Sequence, residues 1–371
     1  MAAARYNPAY PDPSEAALPT PPTERRSKPA TSRAPRRGSG RVTIADVARV
    51  AGMSMHTVSR VLNAPENVPE RTVKLIHDAI AQTGYVQDLV AGGLASGRSR
   101  LVAVTVPTLG SPVFLEALQT LSLHLSRHGY QMMLTESGYE PELEVPALQA
   151  ILGRRPDGVV MMRTVLTPTG RTQLRAARIP VVEAWDWNDD PVDMLIGFSH
   201  EAAGACVAQF LSETGRRRPV AVIGNDPRAG RRLQGFTAAA RKLRLIDADA
   251  DTPHVLIPAP ATMGAGRSGL AELLSRVPDA DAVVCSTDMI AMGVLLEAAA
   301  LGRQVPGDLA VVGFGDQAYA AATTPPLTTV RIDGSLIGEQ AARAIIDRLD
   351  GQANEGLRVD VGFTLMRRQS A

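Results

Sequence analysis

The chain has 371 residues, of which 45% are hydrophobic and 21% charged, an ordinary composition for two or three globular domains. No apolar run is long enough to span a bilayer, and the Pro-rich N-terminus lacks the apolar core of a signal peptide, so we expect neither membrane insertion nor export. The two cysteines, Cys206 and Cys285, lie far apart in the sequence and fit a reducing cytoplasm.

The net charge of +1 conceals an asymmetry along the chain. Residues 1–100 hold 14 Lys and Arg against 8 Asp and Glu, a net charge of +6, whereas the remainder holds 25 against 30, a net charge of −5. A basic N-terminal part and an acidic remainder are typical of a DNA-binding domain joined to a larger domain that does not bind DNA.

Residues 1–40 are rich in Pro, Ala, Ser and Arg and contain almost no bulky aliphatic side chain. They cannot bury enough apolar surface to fold alone, so we predict a disordered tail. Two interpretations stay open. The tail is inert or an artefact of a start placed too far upstream, or it is a basic arm whose Arg33, Arg36 and Arg37 contact phosphates.

Residues 42–63, VTIADVARVAGMSMHTVSRVLN, predict two short helices joined by a tight turn. Thr43 with Asp46 three residues later is a capping-box start, and an apolar i, i+3, i+4, i+7 stripe follows it. Gly52 stands where the chain must turn and tolerates a positive φ. Ser54 can cap the second helix.

The second helix turns Val58 and Val61 inward, and a third helical stripe follows and ends at Gly84. We therefore predict that residues 41–86 form an all-α helix-turn-helix headpiece whose second helix enters the DNA major groove. The alternative is a small helical bundle without a DNA-binding role.

Exposed side chains on and around the second helix are the predicted DNA contacts. We assign Arg60 to a guanine edge or a phosphate, and Met55 and His56 to base preference. The remaining contacts are short polar side chains that bind phosphates or clamp the backbone: Thr43, Ser54, Thr57, Ser59 and Asn63.

Seven short apolar runs follow residue 100, most of them separated by helical stretches: 101–107, 130–134, 158–162, 180–184, 219–224, 282–286 and 309–314. Near-continuous apolar strands alternating with helices predict parallel sheets covered on both faces. There are too many strands for one compact sheet. We therefore predict an α/β core at 101–366 made of two Rossmann-like subdomains, with a ligand cleft at the carboxyl ends of the strands.

Loops at the strand ends supply the candidate effector-binding residues: Ser111, Phe114, Glu183, Asp186, Arg228, Thr287 and Asp288. Arg228 offers a planar fork for a carboxylate, and Glu183 and Asp186 can accept hydrogen bonds from hydroxyls. Thr287 and Asp288 line the cleft or hold the lobes together. Each candidate also has an alternative interpretation. Phe114 would then be a core residue, Glu183 and Asp186 would be acidic residues on surface loops, and Arg228 would belong to a solvent-exposed run of charges.

The headpiece segment VTIADVARVAGMSMHTVSRVLN resembles the DNA-binding signature of the LacI/GalR family of bacterial transcription regulators. The likeness continues through VPERTVKLIHDAIAQTGYVQD, GGLASGRSRLVAVTVP, DMIAMG, VPGDLAVVGFGD and PPLTTVR, and covers about residues 41–366. Within the family, the stretches GYQMMLTESGYEPELE, IPVVEAWDW and VGFTL are most similar to the gluconate-operon repressors.

The resemblance implies a periplasmic-binding-protein-like core and a hinge at 87–100 that folds on operator DNA. Leu94 then occupies the position of a side chain that wedges into the minor groove. Two features depart from the family pattern, Gln87 in place of a proline and the Gly92-Gly93 pair.

For the effector, the resemblance places Arg232 where relatives grip a carboxylate or sugar hydroxyl, and it places Asp316 beside a ligand-binding position that Gly315 occupies here. It also implies a cytoplasmic, nucleoid-associated homodimer that binds double-stranded operator DNA and a small sugar or sugar acid, with gluconate favoured. No cofactor or metal is expected, and no catalytic motif indicates an enzyme. The rivals are a transport solute-binding protein, a regulator with a phosphoprotein corepressor, and an enzyme.

Overall fold

The computed structural model describes residues 42–87 and 97–371. The chain divides into two units, residues 1–87 and residues 88–371. The predicted tail and most of the predicted hinge, including Leu94, fall outside the described residues. Within the described ranges, no helix is both long and apolar enough to cross a membrane.

Three helices form the first unit: α1 (Ile44–Ala51), α2 (Met55–Asn63) and α3 (Glu70–Thr83). Val47, Val58 and Ile76 meet at its centre, one from each helix, and all three are fully buried. Gly52 and Gly84 end α1 and α3 with φ values of 65° and 66°, a left-handed conformation that glycine adopts without a steric penalty. The predicted helix-turn-helix is confirmed.

Both predicted helix starts are also confirmed. The Asp46 carboxylate accepts hydrogen bonds from the Thr43 backbone N–H (3.0 Å) and the Thr43 hydroxyl (2.8 Å). These hydrogen bonds hold the pKa of Asp46 below its ordinary value. Ser54 Oγ accepts the backbone N–H of Thr57 at 3.1 Å, which satisfies one of the free donors at the start of α2.

The second unit contains two six-stranded sheets. The sheet of the first lobe, here the N-lobe, has the order β2-β1-β3-β4-β5-β11 and is parallel throughout. Its strands are β1 (Leu101–Val106), β2 (Gln131–Glu136), β3 (Gly158–Met161), β4 (Val181–Ala184), β5 (Met194–Gly197) and β11 (Arg358–Asp360).

The sheet of the second lobe, here the C-lobe, repeats this order as β7-β6-β8-β9-β10-β12, with β12 antiparallel to its neighbour. Its strands are β6 (Pro219–Gly224), β7 (His254–Ile257), β8 (Ala282–Cys285), β9 (Ala310–Phe314), β10 (Thr328–Arg331) and β12 (Thr364–Met366). The chain thus passes between the lobes after β5, after β10 and between β11 and β12.

Eight helices accompany the sheets in the described core. They are α4 (Leu115–Arg127), α5 (Pro141–Leu152), α6 (Pro168–Ala177), α7 (His200–Glu213), α8 (Pro227–Lys242), α9 (Met263–Arg276), α10 (Asp288–Ala300) and α11 (Gly334–Leu349). Helix α11 packs on α4 and β4 of the N-lobe, while α7 packs on α8, and α9 on α10. Short 3₁₀ turns occur at Pro65–Asn67, Pro112–Phe114 and Ala320–Ala322.

A close helix–helix contact and a cluster of aromatic rings contribute to the packing of the core. A Cβ at Gly204 of α7 would clash with the backbone carbonyl of Arg232, so glycine permits the close contact with α8. One hydrophobic cluster includes residues of both lobes, and within it Trp185 packs edge-on against Phe114 and Phe198, with ring centres 5.3 and 6.3 Å apart. The core is therefore continuous across the lobes.

The predicted fold class is confirmed, and all seven predicted strands are present with ends within two residues of the prediction. Five further strands were not predicted from the sequence: β5, β7, β10, β11 and β12. Each has only three or four residues, and β7, β11 and β12 include exposed or half-buried positions. These three strands lack the apolar run that marks the others, and β10 contains a single apolar residue, Val330. The strand β5 is a buried apolar run as short as β3 and β4 and was missed.

Candidate functional site

The outward face of α2 carries the predicted base-reading side chains. Met55, His56 and Arg60 are exposed, whereas Val58 and Val61 on the opposite face are buried. Arg60 forms no ion pair with any residue in the described ranges. The guanidinium and imidazole are thus available to a DNA groove.

The remaining predicted DNA contacts in the headpiece already hydrogen-bond within it. The Ser54 and Thr57 hydroxyls lie 2.8 Å apart, and Asn63 Nδ2 donates to the Ser59 carbonyl at 2.9 Å. Asn63 Oδ1 accepts a further hydrogen bond from Gln87 Nε2 at 3.4 Å. A hydroxyl has one donor and two acceptor sites, so these contacts leave capacity for phosphate, and the assigned roles stay predictions.

In both core sheets the strand order reverses between two neighbouring strands, β1 and β3 in the N-lobe and β6 and β8 in the C-lobe. Ligands of doubly wound folds bind beyond the carboxyl ends of the strands at such a reversal. Residues that follow these four strands line two depressions in the core, and Tyr139 belongs to both. The candidate effector site lies there.

The first depression lies between the lobes, and most of its charged lining is basic. Its charged lining consists of Arg163 and Asp186 from the N-lobe and Arg228 and Arg231 from α8. The Arg228 Nη1 donates to the Met162 carbonyl at 3.3 Å, and Arg231 forms an ion pair with Asp186. The lining brings three guanidinium groups to one carboxylate, while acids outside this lining pair with each arginine: Glu144 with Arg163 (3.1 Å), Asp226 with Arg228 (3.7 Å) and Glu201 with Arg231 (3.8 Å). The planar guanidinium groups give this depression several hydrogen-bond donors suited to an anion.

A buried carboxylate and a backbone carbonyl fix the position of the Arg163 guanidinium. Its Nη2 lies 3.1 Å from a carboxylate oxygen of the fully buried Glu144, and its Nη1 donates to the Gly138 carbonyl at 2.8 Å. Glu144 also accepts the backbone N–H groups of Leu166 and Thr167, both at 2.8 Å. Burial lowers the pKa of Arg163, an effect that the hydrogen bond to Glu144 opposes. Arg163 was not among the residues predicted from the sequence.

Arg232 lies beside this depression and does not line it. Its guanidinium stacks on Phe314 at 3.9 Å, donates to the Ser286 carbonyl at 2.9 Å and lies 3.0 Å from His200 Nδ1. Burial lowers the pKa of Arg232 to about 10, and burial with the nearby Arg232 charge lowers the pKa of His200 well below its ordinary value. In the helix α8, Arg231 is the arginine that joins Arg228 at the depression.

The second depression has a mixed polar and apolar lining that includes the predicted Ser111, Thr287 and Asp288. Thr287 Oγ1 caps α10 by accepting the Ile290 N–H at 3.2 Å. The Asp288 carboxylate accepts the Gln317 N–H at 2.7 Å and the Thr329 hydroxyl at 2.6 Å. Burial raises the pKa of Asp288 to about 6. These partners all belong to the C-lobe, so Asp288 does not hold the lobes together.

Besides Arg232, three further predicted effector residues are absent from both linings. Glu183 is fully buried and accepts the backbone N–H groups of Val165 (2.7 Å) and Val192 (2.6 Å), which leaves it no access to a ligand hydroxyl. Asp316 has its carboxylate 2.7 Å from Arg368 Nη2 and 3.4 Å from Arg331 Nη1.

Phe114 is the third of these residues. It is buried in the core, and its ring centre lies 5.2 Å from the Arg228 guanidinium, which it supports. We therefore revise the expectations for Glu183, Asp316 and Phe114 from ligand contacts to structural roles.

A helix-turn-helix unit joined to a two-lobed α/β core with charged side chains in its cleft defines a DNA-binding regulator. Residues 43–88 match the bacterial regulatory proteins of the lacI family, and residues 208–371 match a periplasmic binding protein-like domain. The HTH-type transcriptional regulator GntR of Pseudomonas aeruginosa is 33% identical over 336 residues, 90% of this chain and 97% of that protein.

Two solved structures extend the likeness. A LacI-family transcriptional regulator from Silicibacter pomeroyi is 32% identical with a TM-score of 0.81 over 89% of this chain and 99% of that chain. A complex of the transcriptional regulator CelR with cellobiose is 28% identical, with a TM-score of 0.63 over 89% of this chain and 100% of that chain. The chain belongs to the lacI family of bacterial transcription regulators, which bind DNA and are not enzymes.

Proposed function

We propose that this regulator is a repressor that a small sugar acid, with gluconate favoured, releases from its operator. The observation that carries the proposal is the depression between the lobes, whose charged lining consists of three guanidinium groups, Arg163, Arg228 and Arg231, and one carboxylate, Asp186. A carboxylate ligand that pairs with Arg228 and Arg231 would gain charge-assisted, forked hydrogen bonds that a neutral sugar cannot make.

Polar groups around the arginines suit the rest of such a ligand. Tyr139 belongs to both depressions, Thr164 lines the basic one, and Ser111 and Asp226 line the second one. These side chains offer hydroxyl and carboxylate groups to the hydroxyls of a polyol chain. A molecule that is anionic at one end and hydroxylated along its length therefore fits the chemistry of both depressions.

The release mechanism that we propose uses the two-lobed core. The lining of the basic depression comes from both lobes, so a ligand there favours one relative orientation of the lobes over others. Two subunits pair through their cores, and their headpieces address a pseudo-palindromic operator. Reorientation of the lobes changes the hinge segments and separates the headpieces, which weakens operator binding.

Calorimetric titration of the full chain with gluconate, glucose and cellobiose tests the effector class. We expect gluconate to bind at least tenfold more tightly than either neutral sugar, because a hydrogen bond to a charged group contributes about 1.5–3 kcal/mol. Tighter binding of a neutral sugar would contradict the sugar-acid assignment. Failure of all three to bind would contradict a metabolite effector in this cleft and favour a protein corepressor.

A further inference from the structure

Four arginines lie at the end of the N-lobe where the chain enters the core. We define the arginine rim as Arg98, Arg100, Arg155 and Arg178, all of them exposed. They stand just before β1, β3 and β4, which are neighbours in the sheet order β4-β3-β1. Because parallel strands begin at the same edge of a sheet, the rim occupies one edge of the lobe, opposite the carboxyl ends that line the cleft.

An open groove runs along this edge, and its charged lining is Arg98, Arg155, Arg178 and Asp157. Asp157 is buried, and its carboxylate accepts the backbone N–H groups of Ser99 (2.9 Å) and Arg100 (2.8 Å). Arg155 and Arg178 form no ion pair with any carboxylate in the described ranges. The one acid among the described lining residues thus holds the backbone, and the groove keeps a net positive charge.

Backbone conformation sets three rim residues apart. Arg100, Arg155 and Arg178 have φ values of 56°, 51° and 53°, a left-handed conformation that usually selects glycine or asparagine. Arg178 ends α6 and Arg155 follows the end of α5, where a cation also interacts favourably with the helix dipole. That interaction explains a positive charge near each helix end, but not arginine at the strained position itself.

We propose that the arginine rim binds phosphates of DNA alongside the headpiece. The rim belongs to the edge from which the chain leaves towards the DNA-binding unit. Residues 88–96, outside the described ranges, join Gln87 to Gly97, and a fully extended chain of this length reaches at most about 35 Å. Because the connection is short, DNA bound by the headpiece gives a high local concentration of phosphate groups near this edge. Exposed arginines are suited to bind such phosphates.

This inference rests on the DNA-binding function but adds contacts outside the headpiece, and it predicts a specific signature. Phosphate contacts weaken with salt and do not depend on base sequence. The test is fluorescence anisotropy of the full-length R155N/R178N variant across a range of KCl concentrations. The probes are an operator duplex selected by the wild-type chain from random DNA, and a random-sequence duplex of equal length.

We expect the slope of log K against log salt to become shallower by about 0.9 for each phosphate that the variant no longer neutralises. At about 0.1 M salt, affinity should fall roughly tenfold for both duplexes alike. Asparagine tolerates the left-handed conformation, and the single variants R155N and R178N should each give about half of the change in slope. A slope and affinities equal to those of the control would overturn the proposal.

The matched control is R244N. Arg244 is an exposed arginine of the C-lobe with a φ of 59°, so its replacement changes charge and backbone preference in the same way. R60A separates the two functions, since removal of a base contact lowers operator affinity more than random-duplex affinity. If R60A behaves so while R155N/R178N matches R244N, the headpiece assignment stands and the rim proposal fails.

Discussion

Replacing Arg60 by alanine is expected to reduce operator affinity by about 1–3 kcal/mol at fixed salt and to relax base preference at one position. The reason is that Arg60 is exposed on the outward face of α2 and makes no ion pair within the described chain. The buried Val58 and Val61 on the other face should keep the fold of the headpiece. Anisotropy with operator and single-base operator variants measures both effects.

Arg49 provides the control for that prediction. It is exposed on α1 and pairs with Asp46 at 3.1 Å, with 74% of its side chain accessible. An exposed ion pair of this kind contributes little to stability, so R49A should leave the base preference unchanged. An Arg60→Ala protein that keeps wild-type operator affinity and base preference would show that α2 does not read DNA bases as proposed.

Replacing Arg228 by alanine should weaken gluconate binding by about 1.5–3 kcal/mol, which corresponds to roughly 10- to 150-fold. The guanidinium is positioned by the Met162 carbonyl and the Phe114 ring and lines the basic depression. The substitution removes one of the two guanidinium groups that we assign to the ligand carboxylate. Isothermal calorimetry with gluconate measures the change directly.

R217A is the matched control, because Arg217 is an exposed arginine of the same lobe outside both depressions. We expect it to bind gluconate as the wild-type protein does. If Arg228→Ala changes gluconate affinity by less than about twofold, the basic depression does not hold the ligand carboxylate. Equal losses in both variants would point to a general electrostatic effect of net charge instead of a specific contact.

The headpiece was predictable because its determinants are local. A capping box, a glycine at the turn and a helical stripe lie within a few residues of each other, and each is visible in the sequence. The core class was predictable for a similar reason, since apolar runs of four to six residues mark buried parallel strands. Short strands at the lobe crossovers, such as β11 and β12, depend on distant pairing partners and carry no comparable local signal.

The candidate site was predictable only in part. Arg228 was found in the segment that follows β6, one helical turn before Arg232, and a search of the segment that follows β3 would have found Arg163. Glu183 lies inside β4, where its burial is set by loops that fold over the strand. Asp316 is neutralised by Arg331 and Arg368, and sequence spacing gives no indication of such long-range ion pairs.

The sequence alone also did not show whether Arg231 or Arg232 faces the basic depression. Successive residues of a helix point about 100° apart, so only one of two neighbours faces a given surface fully. The resemblance favoured Arg232, but its stacking on Phe314 and its contact with His200 hold it away from the basic depression.

The most direct test of the account is the operator affinity of the full chain with and without saturating gluconate. A ligand that releases a repressor should weaken operator binding by about 5- to 150-fold, and operator should weaken gluconate binding by the same factor. We predict this reciprocal weakening. Operator affinity that is unchanged or tightened by bound gluconate would contradict the proposal that a sugar acid in the cleft releases the protein from DNA.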